Sequence, residues 1–384
     1  MDALEGARVM AAMSGGVDSS VAALLLREAG AEVAGVTLRM FDNEVLPEGA
    51  DSSCCSLSDV EDARQVAFSL GLEHFTFNFT EVFGREVMDR FCEAYLIGRT
   101  PNPCIDCNRY VKFRALQERR RQLGFDFVAT GHYARRRFDE VDGRWKLLRG
   151  VDAAKDQSYV LYHLSQDDLA HMLFPVGGLT KPEVRALAAE HGFVNAKKPE
   201  SEDICFVPDG DYAAFIRRYC GLRAADGDAA WAQEACGPGG VGAAFEPGPI
   251  VDGVGRVLGE HQGLVRYTIG QRKGLGVAVG EPIYVLAKDA GGNKLVVGPR
   301  EELLVREVCA KDLNLIGVER LDEPLRVTAK TRYRHHDQPG WAVVEDGVLR
   351  MRFDEPVVRP APGQALVLYD GDVVVGGGTV ASAA

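Results

Sequence analysis

Residues Ser14 to Ser20 read SGGVDSS and stand between two segments of different pattern. Upstream, Arg8 to Met13 is an apolar run that reads as a buried strand. Downstream, Val21 to Ala29 carries apolar residues at helical spacing. Strand, glycine-rich turn and helix is an arrangement by which a chain offers backbone N–H groups to a phosphate. Gly15 and Gly16 let the backbone come close to an anion, and Ser14, Ser19 and Ser20 add hydroxyl donors. Asp18 is out of place in a phosphate nest, because its charge repels the anion, unless a magnesium ion stands between them. The plainer reading is a tight turn followed by a serine-capped helix.

The spacing is neither the GxGxxG of dinucleotide-binding turns nor the GxxxxGK[ST] of the Walker loop. It resembles the SGGxDS pyrophosphate loop of the ATP pyrophosphatases. That resemblance implies cleavage of ATP between its alpha and beta phosphates, with AMP passed to a substrate oxygen. A kinase would move the gamma phosphate instead.

Working outward from the loop, strand and helix patterns alternate as far as about residue 135. Val33–Met40, His74–Phe79 and Phe125–Thr130 read as strands. Asp59–Leu70, Glu81–Ile97 and Val111–Leu123 read as helices. Such alternation predicts a parallel sheet, with its ligand beyond the carboxyl ends of the strands. Lys155–Phe174 and Pro182–His191 read as further helices, and Gly237–Gly248 as a loop. Beyond about 255, short strand patterns alternate with turns, which predicts an all-β tail, a small barrel.

The 384 residues suffice for two or three domains, and 46% are hydrophobic, enough for a sizeable core. The net charge of -12 argues against a general nucleic-acid coat and leaves room for a local basic groove. No run of 18 apolar residues predicts a membrane span. The first residues lack a secretory pattern, and the expected setting is the cytoplasm.

Nine cysteines are too few and too unevenly placed for a secreted disulfide framework. Cys54, Cys55, Cys92, Cys220, Cys236 and Cys309 read as core or incidental residues. Cys104 and Cys107 differ. They lie in PNPCIDCN, residues 101–108, where two prolines stiffen the chain as a turn. A CxxC can be a redox pair, half a zinc site or part of an iron–sulfur site, or simply two buried thiols. Cys205, in EDICFV, reads by itself as a core residue.

Together these pieces resemble the tRNA-specific 2-thiouridylases. SGGVDSS is similar to that family's pyrophosphate loop, and PNPCIDCNRYVK (101–112) and SEDICFVP (201–208) to its two cysteine segments. YTIGQRKGLG (267–276) resembles a diagnostic stretch, and TRYR (331–334) and Pro362-Gly363-Gln364 resemble features of its barrel. The resemblance implies three parts: an adenine-nucleotide alpha-hydrolase-like α/β domain over 1–205, a small central domain over 206–280, and a C-terminal β-barrel over 281–384. It implies 2-thiolation of the wobble uridine, U34, of tRNAs of the Lys, Glu and Gln type, with sulfur from an upstream donor.

The same resemblance assigns residues. ATP would lie against Ala12, Met13, Ser14, Gly15, Gly16, Val17, Asp18, Ser19, Met40 and Gly131, with magnesium screening Asp18. Cys205 would carry a persulfide and Cys107 would be its partner, ending as a Cys107–Cys205 disulfide. A helix starting at Asn108 would favour the thiolate of a cysteine facing it. Cys104 stands where some members carry aspartate. With cysteine there, Cys104, Cys107 and Cys205 could instead hold a [4Fe–4S] cluster that binds hydrosulfide. Both accounts stay open from sequence.

For the tRNA, the resemblance points to Asn102, Pro103, Cys104, His132, Lys155, Asp156, Gln157, Arg332, Tyr333 and Gln364. Arg119–Arg121, Arg135–Arg137, Arg272 and Lys273 are candidate backbone contacts. The competing classes are another ATP pyrophosphatase, such as a tRNA-cytidine thiolase, a non-enzymatic RNA-binding module, and an iron–sulfur carrier. Cys205, the TIGQRKGLG stretch and the β-rich tail favour uridine thiolation.

Overall fold

The computed structural model describes residues 4–46, 57–199, 204–226, 231 and 244–384. Cys54, Cys55, Cys236 and residues 201–203 of the second cysteine segment lie outside the described residues.

The first layer is a five-stranded parallel sheet. Its strands are β1 (Arg8–Ala12), β2 (Glu32–Arg39), β3 (Glu73–Asn78), β4 (Phe127–Ala129) and, after the hairpin β5 (Ala134–Asp139) and β6 (Arg144–Arg149), the short β7 (Met172–Leu173). The order is β3-β2-β1-β4-β7. Val9, Met10 and Ala11 of β1 are all buried, because helices cover both faces of a central parallel strand. The strand order reverses between β1 and β4. Loops leaving those two strands therefore diverge and open a crevice. Helix α1 (Val17–Glu28) follows β1, and α2 (Leu57–Ser69) precedes β3.

Three stretches depart from the sequence reading. Lys155–Phe174 is not one helix. Tyr159, Val160, Leu161, Tyr162 and Leu164 are all buried, so the apolar run is surrounded rather than one-sided. The helix there starts only at Gln166, where Ser165 and Asp168 form a capping box. The helical stretch at the cysteines begins at Pro103, not near Val111. Asn102 caps it, its Oδ1 accepting from the Cys104 N–H at 3.1 Å, and Pro103 takes the first-turn position where no donor is needed. From Cys107 to Ala115 this stretch is π-wound. Finally, the Arg135–Arg137 run belongs to the β5–β6 hairpin, which the sequence reading did not foresee.

Two β modules follow. Strands β8 (Gly248–Val251), β9 (Val257–His261), β10 (Tyr284–Asp289) and β11 (Lys294–Gly298) form one sheet in the order β10-β11-β8-β9. A division at 280/281 falls inside this sheet, between β9 and β10. Strands β12 (Leu304–Asn314), β13 (Leu325–Lys330), β14 (Gln338–Glu345), β15 (Val348–Val358), β16 (Ala365–Asp370) and β17 (Val373–Ala383) then close a barrel, β12 pairing with both β15 and β17. Leu349, Met351 and Phe353 of β15 are buried while Arg350, Arg352 and Asp354 face out, the period-2 pattern of a barrel wall.

The barrel is not an appendage. β17 pairs with β6 at Val373 and Leu148, which joins the hairpin to the barrel. Ile316, Val367, Tyr369 and Val374 share one apolar cluster with Met40, Cys107 and Tyr159. No helix among the described residues is long and apolar enough to cross a membrane.

Candidate active site

The crevice between β1 and β4 holds a cavity of about 700 Å³. Its floor is the SGGVDSS loop. Gly16 is the N-cap of α1 and brings no side-chain cap, so the first-turn N–H groups of this helix face the cavity without the usual side-chain acceptor. The loop's own oxygens are satisfied inward. Ser19 and Ser20 hydroxyls donate to the Gly16 carbonyl at 3.0 and 3.1 Å, and Asn195 Nδ2 donates to the Gly15 carbonyl at 2.9 Å. Donors are left outward, the polarity an anion requires.

Two glycines allow this loop. Gly15 has φ +74°, and a Cβ there would lie 2.3 Å from the Asp59 carbonyl oxygen. A Cβ on Gly131 would lie 2.6 Å from the Ser19 nitrogen. Gly131 is thus needed first to let the β4 loop pack on the phosphate loop.

One wall is apolar: Val36, Leu38 and Met40 from β2 and just past it. The other walls are basic, with Lys112, Lys155, Lys181, Lys198, Lys330 and Arg334. Asp18 does not stand exposed to a phosphate. Lys181 Nζ meets its two oxygens at 2.7 and 2.8 Å, and the Tyr133 hydroxyl donates to it at 2.7 Å. Lys198 likewise binds Asp59 at 2.6 Å and Asp62 at 2.5 Å, which raises the Lys198 pKa against the opposing cost of burial. Lys181, Lys198, Tyr133 and Asp59 were not found from sequence. Their partners lie far away along the chain, although the TKPE capping box at Thr180 is a local signal for where Lys181 stands.

Nine of the ten residues expected to meet nucleotide line this cavity, Gly15 lying beneath it. His132, Lys155, Asp156, Gln157 and Tyr333 line it too, although they were assigned to tRNA. Of these, Asp156 accepts from the Gly150 and Ser158 N–H groups, each at 3.1 Å. Gln157 Oε1 accepts from the Tyr133 N–H at 3.0 Å. Both hold the frame. His132 is buried between Phe113 and Phe174, with Nδ1 2.8 Å from the Thr130 hydroxyl. Burial, aided by the Lys112 charge, pushes its pKa well below the usual histidine value, so the ring is neutral.

The remaining tRNA candidates are elsewhere. Asn102 caps its helix, Pro103 is buried and Cys104 is exposed. Arg332 donates to the Ile269 carbonyl at 3.0 Å. Gln364 donates to the Thr100 carbonyl at 2.7 Å. Arg120 is buried against Gln117 and Phe125, and Arg136 donates to the Leu169 and Ala170 carbonyls, so neither presents its charge to a partner.

Cys107 is buried behind the apolar wall, its Sγ 3.9 Å from Met40 Sδ. It lies a turn inside its helix, since that helix begins at Pro103, so the expected helix start at Asn108 does not exist. Cys205 is half-buried and packs against the same apolar cluster as Cys107. Among the described residues no three His, Cys, Asp or Glu side chains are grouped to hold a metal ion. Cys104, Cys107 and Cys205 are therefore not gathered as cluster ligands in this conformation. The carboxylates lining the cavity are likewise a poor fit to a protein-held magnesium, since Asp18, Asp59 and Asp156 each bind a protein cation or N–H.

A parallel sheet whose switch point carries an uncapped, glycine-rich helix start beneath such a cavity defines a nucleotide-binding domain of the alpha-hydrolase kind. Comparison agrees. Residues 7–209 match the family model described as tRNA methyl transferase HUP domain, 242–299 the tRNA methyl transferase PRC-barrel domain, and 305–380 the aminomethyltransferase beta-barrel domain. A protein of Moorella thermoacetica named tRNA-specific 2-thiouridylase MnmA is 50% identical over 98% of this chain and 99% of its own. Proteins of the same name from Heliobacterium modesticaldum and Carboxydothermus hydrogenoformans are 48% and 46% identical, over 97% and 99% of this chain and 92% and 99% of theirs. The chain belongs to the tRNA-specific 2-thiouridylase family.

Proposed function

We propose that this chain uses ATP to replace the C2 oxygen of U34 in tRNA with sulfur. The observation that carries this reading is Met40. Its side chain lines the nucleotide cavity and its sulfur touches the Cys107 thiol, so activation and sulfur transfer share one wall.

A pyrimidine carbonyl oxygen is a poor leaving group. In the first step the C2 oxygen attacks the alpha phosphorus of ATP, and pyrophosphate leaves. The amide N–H groups of the first turn of α1 meet the phosphate charge that develops. Lys181 keeps Asp18 from repelling it. In the second step the outer sulfur of a Cys205 persulfide attacks C2, and AMP leaves with the oxygen. The Cys107 thiolate then attacks the inner sulfur, Cys205 Sγ. The persulfide S–S bond breaks, its electrons pass to the sulfur now on C2, and a Cys107–Cys205 disulfide forms. An external dithiol returns two electrons before the next turnover. The persulfide comes from an upstream donor, and the setting is the cytoplasm, where such reductants are kept.

The target base must leave its stack to reach this wall. Tyr333, exposed and at the cavity edge, offers a ring for a loop base to stack on. The substrates are tRNAs of the Lys, Glu and Gln type.

The test is an anaerobic reaction of purified, iron-free protein with ATP, magnesium, a persulfide donor and unmodified tRNA, read by mass spectrometry of U34. A gain of sulfur at U34, with one pyrophosphate released per thiouridine, is expected. Thiolation that appears only after iron–sulfur reconstitution would overturn the persulfide route. Sulfur at another base would overturn the substrate.

A further inference from the structure

The sulfur chemistry proposed above uses Cys107 and Cys205 and leaves Cys104 without a task. We propose that Cys104 is the recycling thiol, which attacks the Cys107–Cys205 disulfide left by sulfur transfer and moves the oxidised bond to a place that an external protein dithiol can reach. The inference rests on the persulfide route of the proposed function and adds the step that closes its cycle.

Three observations carry it. The first is exposure. Cys107 is buried and Cys205 half-buried, both packed in one apolar cluster. A reductant must bring its own thiolate onto one sulfur of the disulfide, so a bond between these two is shielded from another protein. Cys104 is exposed.

The second is spacing. The helical stretch that starts at Pro103 continues without a break to Leu123, and the two cysteines stand one turn apart at its start. The Cys107 N–H is shared between the Pro103 and Cys104 carbonyls. Helical geometry sets residues three apart at about 5 Å between Cα atoms, inside the span of roughly 4.4–6.8 Å that a disulfide bridges.

The third is reactivity. Cys104 lies in the first turn of this long helix, and that turn is held in place. Asn102 caps it through the Cys104 N–H. Just ahead, the Thr100 N–H donates to the Pro362 carbonyl at 2.9 Å, and Gln364 donates to the Thr100 carbonyl at 2.7 Å. A thiol in the first turn meets the positive end of the helix, which favours the thiolate. An exposed first cysteine and a buried second one, three residues on, is the pattern of a redox-active CxxC pair.

The step balances as a thiol–disulfide exchange. Cys104 gives its proton to water, and its thiolate attacks Cys107 Sγ. The Cys107–Cys205 bond breaks, and Cys205 leaves with the electron pair as a thiolate ready for the next persulfide. A dithiol of the thioredoxin class then supplies two electrons to the Cys104–Cys107 bond and is itself oxidised to a disulfide.

The experiment stops an iron-free reaction with ATP, magnesium, a persulfide donor and tRNA after one thiouridine per chain. It alkylates the remaining thiols and locates the disulfide by peptide mass spectrometry. The unaltered chain is expected to hold Cys104–Cys107, and C104S and C104A to hold Cys107–Cys205. Thioredoxin should then reduce the two variants at least about tenfold more slowly than the unaltered chain, while a small phosphine reduces all three within about threefold. A merely structural role for Cys104 would not move the bond. Cys107–Cys205 in the unaltered chain, with equal thioredoxin rates for all three, would overturn the proposal. A second arm uses C205S without tRNA, in which glutathione disulfide is expected to join Cys104 to Cys107. No such bond would overturn the relay whatever the chain does to U34. That bond in C205S, with no sulfur reaching U34 in the unaltered chain, would instead break the functional reading, which separates the two failures. Circular dichroism melts identify a Cys104 variant that does not fold, and the unaltered chain and C205S then carry the test.

Discussion

The nucleotide cavity and the cysteine segment meet at Met40, yet they are built on different plans. Around the phosphate loop the carbonyls and carboxylates are tied inward: Asn195 behind the loop, Lys181 and Tyr133 on Asp18, and the Gly131 backbone packed against Ser19. The cysteine side is looser. Cys104 is exposed, Cys107 is buried, Cys205 is half-buried, and the helix between is π-wound. π-winding recurs at functional sites because it loosens the regular ladder. The contrast teaches that the glycine-rich loop is held by a dense set of inward bonds, while the segment carrying the cysteines proposed for sulfur transfer keeps a less regular backbone.

The contrast breaks if the two regions cannot be uncoupled by mutation. Replacing Cys107 or Cys205 by serine is expected to cut U34 thiolation by more than about a hundredfold, since a nucleophilic sulfur has no substitute. ATP binding should stay within about twofold, as dialysis would show. Parallel loss of ATP binding would mean the regions are one. Gly131→Ala is the reverse case. Its Cβ would meet the Ser19 nitrogen at 2.6 Å. An overpacked loop of this kind costs about 1–3 kcal/mol, and ATP affinity should fall by at least about tenfold while thiol titration in the native state is unaltered.

Each region also holds a histidine with a depressed pKa, His132 buried and His163 half-buried. Burial depresses His132, and burial together with the Arg109 charge pushes His163 down to about 3. Unfolded, both rings regain an ordinary pKa near 6.5. The unfolded chain therefore binds protons that the folded chain refuses. Stability is complete above about pH 6.5 and falls as the pH drops, with a slope of about 1.4 kcal/mol per pH unit for each ring. His163 continues to contribute to that loss down to about pH 3. Urea melts at pH 7, 6 and 5 should show a shallower slope for H132Q and for H163Q. An unchanged slope would mean the rings are already wet.

The smallest effect is expected at Arg109, two residues past Cys107, which pairs with Asp312 of the barrel at 2.6 and 3.2 Å. Asp312 is more than half exposed. Arg109→Ala should cost no more than about 1 kcal/mol, measured by thermal unfolding at low and high salt. A larger, salt-independent loss would show that the cysteine helix leans on the barrel more than on its own core.

Much of the architecture was legible in sequence because its signals are local. β1, the loop and α1 are adjacent, so period and glycine pattern identify them. The barrel strands show alternation within a few residues. What escaped depends on distant partners. Lys181 reaches Asp18 across 163 positions. The Arg135–Arg137 run read as a basic patch, yet Arg135 serves Arg149 and Asp372, and Arg136 caps carbonyls of another helix. Gln364 read as a base contact and here secures Thr100 ahead of the cysteine turn. Lys155–Phe174 failed for a different reason: a run buried on every side has no period to read.

The pairing of β6 with β17 bears on how the protein is made. The hairpin emerges from the ribosome in the first half of synthesis, but Leu148 finds Val373 only after the barrel has been threaded through. Until then the cavity lacks the side that the barrel residues Lys330, Tyr333 and Arg334 supply. A nascent chain would thus carry a complete phosphate loop and an open-sided pocket, and ATP would meet a finished site only once β17 has been made.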